Sequence, residues 1–364
     1  MKKAFAIVVS GAVLMGCVHR PFHQVPLQNP PCRANTVFAS FEDLSSKRFQ
    51  ALKDKYRIDS VFHGETDEFK RVLLLRDWIR KIISIDNNAS EYPGDGYPEG
   101  ILDAALKGHG FHCGHYMIVQ NAVMNAYGYV TRCLGAGEGV PGGLEGHHGL
   151  NEIWINSYSK WVLSDAKYNY HFEKDGIPLS ALEVRDEYLK NRGTDIMLMK
   201  GPGRTPTPYD EEQHRSKELY ARIYTWVEWE RTNNRFTAWP DVDSKLNLYD
   251  DPYFRSHVWL WDGKPHWAYG TEYMNVVTDR GAIEWTPNTL CSTVDIEGAE
   301  ASIDLRTSTP NLKALQMRRL PSGHWENVNE HVEVHLENGR NELEFRTVNV
   351  ADVPGPLHRI RIEN

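Results

Sequence analysis

Apolar residues recur at helical spacing from Glu65 to Ile83, where Phe69, Leu73, Trp78 and Ile82 fall near one another around the helix. Thr66 is the expected N-cap, and acidic residues follow it in the first turn. Cys113 to Tyr127 is apolar at the same spacing and stops at Gly128. Shorter helices are expected over 101–106 and 179–189. A polar helix carrying Tyr220, Tyr224 and Trp226 is expected over 211–231. Between these the period changes to two. Residues 129–134, 150–155 and 160–167 read as strands, and Asn156 to Ser159 reads as the turn of a hairpin. If Ile155 pairs with Lys160, Asp165 lies opposite Leu150, one diagonal step from His148. Such neighbours are about 7–8 Å apart at the backbone, within side-chain reach. Alternation puts His148, Leu150, Glu152 and Trp154 on one face.

Beyond Phe254 short β-prone runs recur at 258–261, 301–305, 332–336, 342–346 and 358–362, with turns such as Glu337-Asn338-Gly339 between them. That spacing suits a C-terminal β-sandwich. Pro and Gly breaks at 84–100, 135–146 and 200–210 punctuate the chain. The expected organisation is a leader over 1–16, a proline-containing tether over 17–40, an α+β domain over 41–199, a helical connector over 200–255 and the β region over 256–364. The stretch Gly135 to Gly143 lacks the Gly-Lys-Ser/Thr of a phosphate loop and is read as a flap.

The start of the chain changes the picture most. Met1-Lys2-Lys3 precedes an apolar run over 4–15 that is shorter than the roughly 20 residues needed to span a bilayer. It reads as a secretory signal. It ends in Leu14-Met15-Gly16-Cys17, which resembles the lipobox of bacterial lipoproteins, with Cys17 as the lipidated residue. Residue 18 is Val, so an outer-membrane anchor in the cell envelope is expected, with lipid as the sole membrane partner. The net charge of −8 becomes −10 once Lys2 and Lys3 are removed, which argues against a nucleic-acid partner. Cys32, Cys113, Cys133 and Cys291 remain, without CxxC spacing. Cys32 can pair with Cys133 or with Cys291, and the sequence does not choose.

Cys113 follows a loop and opens a helix, where unpaired N–H groups and a partial positive charge stabilise a thiolate. The hairpin can bring His148 and Asp165 together, the geometry of a base and its orienting acid. His147 is the competing base and points to the opposite face. Gly-x-x-Cys113-Gly114-His115-Tyr116, Gly128-Tyr129-x-x-Arg132, His148-x-x-x-Glu152-Ile153-Trp154 and Lys160-Trp161-Val162-Leu163-Ser164-Asp165 resemble the transglutaminase-like superfamily over residues 65–190. The resemblance implies a papain-like α+β fold, with the cysteine on a helix N-terminus packed on an antiparallel sheet. It implies Cys113 as nucleophile, His148 as general base and Asp165 as orienting acid. The superfamily's aromatic residue two after the histidine is replaced by Leu150, which bears on substrate contacts. His115, Tyr116, Glu152 and Trp154 are the expected substrate contacts, and no cofactor is expected.

The expected reaction is cysteine-dependent acyl transfer, hydrolysing an amide bond in a peptide, a glycopeptide or an amide-linked glycan. Transamidation, glycan cleavage on the same fold and a silent binding role are the alternatives. A zinc site from His109, His112, Cys113 and His115 is a rival for the same residues. Trp259, Trp261, Trp267 and Trp285 could form a sugar platform, although such residues more often belong to a core.

Overall fold

The computed structural model describes residues 21–89, 97–138, 144–145, 147–238, 241, 243, 245–253, 259–261, 264–265 and 274–364. Cys17, the leader and Trp267 lie outside them. Among the described residues no helix is long and apolar enough to cross a membrane.

The architecture is mixed α+β. A six-stranded sheet runs in the order Met274–Val277, Leu246–Tyr249, Trp226–Glu230, Thr131–Gly137, His148–Ile155, Lys160–Ser164. Neighbours are antiparallel except the first pair, which is parallel. Ile155 pairs with Lys160 and Asn151 with Ser164, the register expected of the hairpin. Every residue of His148–Ile155 is buried, because this strand separates two cores. Leu150 and Trp154 pack on one side with Trp161, Leu163 and Tyr170. Ile153 and Ile155 pack on the other with Leu73, Ile79, Val119 and Val123. Helices Lys47–Tyr56, Glu68–Ile82, Pro98–Ala105 and Cys113–Asn125 contribute their apolar faces to that second core.

Local chemistry sets the helix ends. Asp67, not Thr66, caps Glu68–Ile82, its side chain accepting from the Lys70 N–H at 2.9 Å. Pro98 begins its helix, where a missing N–H costs nothing. Ser180 and Glu183 form a capping box for Ala181–Asn191. Gly128 takes a positive φ of 76°, and a Cβ there would meet Ala351 at 2.7 Å. The Cys113 helix is thereby joined to the C-terminal region, since Asn349 Nδ2 donates to the Gly128 carbonyl at 2.8 Å.

Two expectations fail. Residues 211–231 are not one helix. Helix Lys217–Arg222 gives way to a 3₁₀ turn at Ile223–Thr225 and then to strand Trp226–Glu230. The segment expected as a connector therefore supplies two strands of the main sheet. Tyr220 and Tyr224 are buried; their spacing of four mimics a helix face, while core packing is what places them. Residues 21–40 are not a loose tether either. His23–Val25 pairs with the Arg361–Glu363 edge, Phe38 enters a core, and Cys32 is bonded to Cys291 across 259 residues of sequence. Disulfides typically stabilise by about 2–4 kcal/mol, with the entropic part growing with the length of the loop closed.

The runs read at 301–305, 332–336, 342–346 and 358–362 largely coincide with strands Glu300–Arg306, His331–His335, Arg340–Asn349 and His358–Glu363, whereas Cys291–Glu297, Leu312–Arg319 and Glu326–Val328 are strands that the sequence reading did not contain. His23–Val25, His358–Glu363, Arg340–Asn349, Leu312–Arg319 and Glu326–Val328 form one sheet, and Cys291–Glu297, Glu300–Arg306 and His331–His335 another. Ile303, Leu305, Leu343, Phe345, Ile360 and Ile362 share one core. Trp285, offered above to a sugar platform, is 1% exposed.

Candidate active site

Cys113 is the first residue of helix Cys113–Asn125, and His112 is the N-cap. The His112 Nδ1 accepts the Gly114 N–H at 3.2 Å. That nitrogen must be unprotonated, so Nε2–H is the donor His112 can offer elsewhere. Two thiols are free among the described residues, Cys113 and Cys133. They differ sharply. Burial pushes the Cys133 thiol well above its ordinary range. Burial acts the same way on Cys113, but hydrogen bonds from His112, His147 and His148 outweigh it and bring the thiol down to about 2.

His148 begins the central strand, and Asp165 follows the end of its neighbour Lys160–Ser164. His148 Nε2 lies 2.6 Å from Asp165 Oδ2. Asp165 is fully buried. Its other oxygen accepts the Tyr168 N–H at 3.0 Å, and its backbone bridges to Tyr170. The carboxylate is thus fixed from both sides. With Nε2 turned to Asp165, Nδ1 is the ring nitrogen left for Cys113. Burial lowers the His148 pKa, but the Asp165 charge and hydrogen bond, followed by Cys113, overcome it and raise it to about 9. Tyr168 stacks on the ring, with centroids 5.3 Å apart and planes at 24°.

His147 was expected on the opposite face, yet it also reaches the Cys113 sulfur. Its place depends on Gly135, where a Cβ would sit 2.6 Å from His147 Nε2. Sequence reasoning had His147 only as a base competing with His148, and His112 only as a rival zinc donor, not as hydrogen-bond partners of the thiol beside His148. The signal for His147 was a glycine inside a strand, which marks a close approach.

The four expected substrate contacts are not on a surface. Tyr116 is buried and donates to the Ile83 carbonyl at 2.5 Å. His115 is 6% exposed and packs on His112, with ring centroids 4.1 Å apart. Glu152 is fully buried and accepts from Arg132, Trp229 and the Ala181 N–H. Trp154 packs edge-on against Trp161. Their polarity serves the core: an unpaired Arg132 or Glu152 there would be costly. The zinc donors do not converge either; among the described residues no group of three His, Cys, Asp or Glu side chains could hold a metal.

A cleft of about 300 Å³ opens beside the site, lined by His147, His148, Asn87, Lys167, Tyr168 and Arg215 among others. Residues 135–137, expected in the flap, extend strand Thr131–Gly137. Residues 139–143 of that flap lie outside the described residues.

No protein-family model matches the chain, and no curated protein matches it in sequence. Among solved structures, the crystal structure of red sea bream transglutaminase aligns over 84% of this chain and 72% of its own, at 11% identity and a TM-score of 0.24. At that score the likeness carries no argument.

Proposed function

We propose that the chain is a cysteine-dependent acyl-transfer enzyme that hydrolyses an amide bond. The observation that carries the reading is the His148–Asp165 contact of 2.6 Å beside a thiol lowered by three histidines. A thiolate beside an imidazolium is an ion pair ready to react. The Cys113 sulfur attacks the amide carbonyl and forms a tetrahedral intermediate. His148, protonated, gives its proton to the departing amine, so the C–N bond breaks and a thioester remains. His148 then takes a proton from water as the water attacks the thioester, and Cys113 leaves as thiolate. Asp165 keeps Nε2–H directed away from the sulfur throughout. Its role is orientation and charge compensation.

This reading includes a papain-like arrangement of a transglutaminase-like domain over 41–199, and a C-terminal β-sandwich. It also takes Cys17 as the lipid attachment point, with the enzyme in the bacterial envelope and a peptide or glycopeptide as substrate. Envelope residence suits the Cys32–Cys291 disulfide. The experiment is product analysis by mass spectrometry on peptide-amide and glycopeptide pools, using the wild type and Cys113→Ala. The expected result is new carboxylate and amine ends that vanish in the variant. Equal products from both would refute the nucleophile.

A further inference from the structure

The cleft beside Cys113 holds two cations that the proposed triad does not use. Lys167 is 4% exposed. Its Nζ donates to the neutral Asn87 Oδ1 at 2.6 Å and lies 4.9 Å from the Tyr168 ring centroid. Arg215 faces the same cleft, and its guanidinium stacks 5.4 Å from the Tyr220 ring centroid. Neither is ion-paired with a carboxylate among the described residues.

The nearby carboxylates are already engaged. Glu138 is bound by Arg222 at 2.8 Å. Asp210 is bound by Lys200 at 2.7 Å and by the Tyr220 hydroxyl at 2.8 Å. Asp165 belongs to His148. Glu228 lies on the far, His147 side of the site, its Oε1 and the His147 Nε2 lying 2.9 and 2.6 Å from a Cβ placed on Gly135. Lys167 and Arg215 line the cleft without a carboxylate paired to either, so they are the cations left to meet an anion there. Lys167 and Arg215 also repel each other: after burial, Arg215 is among the influences on the Lys167 ammonium and acts to lower its pKa, while Cys113 and Asp165 raise it. Holding two like charges together in a cleft is costly unless a ligand is to be met there.

We propose that Lys167 and Arg215 form a carboxylate subsite beside Cys113, so that the acyl substrate is a peptide carrying a carboxylate close to the scissile amide. The inference rests on the cysteine-nucleophile reading above and deepens it. A guanidinium and an ammonium converging from two elements recognise a carboxylate by charge-assisted hydrogen bonds. The substrate's anion relieves their repulsion on binding, and it fixes the carbonyl over the sulfur.

Two alkylating reagents of nearly equal size separate charge from thiol reactivity. Iodoacetate carries a carboxylate; iodoacetamide does not. In the full-length protein, Cys113 labelling is followed by mass spectrometry, and the ratio of iodoacetate to iodoacetamide rates is compared with that of glutathione. The expected ratio exceeds glutathione's by about tenfold, and Arg215→Gln, Lys167→Gln and the double variant lower it stepwise toward glutathione's. Lys190→Gln, on the remote surface, keeps the wild-type ratio. Arg215→Gln alters a half-exposed residue, so the test stands even if Lys167→Gln does not fold. Fast labelling by both reagents with a ratio unmoved by Arg215→Gln overturns the subsite alone. Slow labelling by both overturns the thiolate reading and the subsite with it. Two ligands then locate the carboxylate. Protection of Cys113 from iodoacetamide by acetyl-glutamate amide assigns a side-chain acid. Protection by acetyl-alanine assigns a chain end. Protection by neither overturns the subsite.

Discussion

Two histidines in this protein meet a carboxylate at the same distance and are driven in opposite directions. His148 Nε2 lies 2.6 Å from Asp165, and His171 Nε2 lies 2.6 Å from Glu173. Both rings are buried. Burial alone would lower both pKa values. His148 is nevertheless raised to about 9, by Asp165 and then Cys113. His171 falls to about 4: burial dominates, and Arg76 and Arg204 oppose the Glu173 contribution. The third partner decides. Arg76 Nη1 lies 3.2 Å from His171 Nδ1. An arginine can only donate, so Nδ1 must accept and the ring is neutral, with its proton on Nε2 facing Glu173. Arg204 holds both Glu173 oxygens, at 2.7 and 2.6 Å. The histidine of such a pair is thus protonated where the next neighbour is a thiolate, and neutral where it is an arginine. The first arrangement can move a proton; the second ties strand Tyr170–Lys174 to helix Glu68–Ile82.

The largest effect that can break this comparison is at the His148 pair. His148→Ala is expected to slow iodoacetamide labelling of Cys113 at pH 6 by about 100-fold, with Asp165→Asn intermediate. Intact far-ultraviolet circular dichroism checks that the fold survives. At the His171 pair, Arg76→Met removes the donor to His171 Nδ1 while Arg204 still holds Glu173. It is expected to lower urea stability by about 1–3 kcal/mol, and to let His171 protonate closer to the ordinary histidine range, read from its ring carbon shifts in NMR.

A smaller effect sharpens the sign. Since the His171 pKa is depressed in the folded state, the unfolded chain binds the proton more tightly between about pH 6.5 and 4. Its contribution to stability is present above about 6.5 and is lost as the pH falls toward 4. His148 works in reverse. Its raised pKa gives stability present below about 6.5 and lost as the pH rises through 9. Over about pH 6.5 to 9 the depressed Cys113 thiol works in the opposite direction and offsets that loss, so urea midpoints are expected to stay nearly level there and to fall on the acid side, and His171→Gln is expected to lessen the acid fall. The smallest effect is at an exposed pair of the same type. His335 Nδ1 meets Glu300 at 2.6 Å with both side chains more than half exposed. His335→Ala is expected to leave the melting temperature unchanged within error, because water screens such a pair.

The His148 pair was legible in the sequence and the His171 pair was not. Period-two alternation and a four-residue turn were enough to bring His148 and Asp165 within reach, because hairpin register is local. Arg76, Asn169 and His171 meet through helix–sheet packing across more than 90 residues, and no local period encodes that. The same limit explains His112 and His147, which reach the sulfur from a cap and a strand end. Glu152 misled for a related reason. A carboxylate in a half-buried strand reads as exposed, but this strand is covered on both faces, and Glu152 is the partner of Arg132. Strand Trp226–Glu230 was hidden likewise: with four of its five residues buried, it shows no alternation.

The central claim is that Cys113 rests as a thiolate paired with a protonated His148. Its most direct test is the pH dependence of iodoacetamide labelling at Cys113. With the thiol lowered to about 2 and the imidazole raised to about 9, the rate is expected to stay flat from about pH 4 to 8, where an ordinary thiol with pKa near 8.5 rises steeply. In His148→Ala the flat region is expected to give way to a rise at higher pH. A wild-type profile that follows an ordinary thiol, unchanged by His148→Ala, would contradict the ion pair.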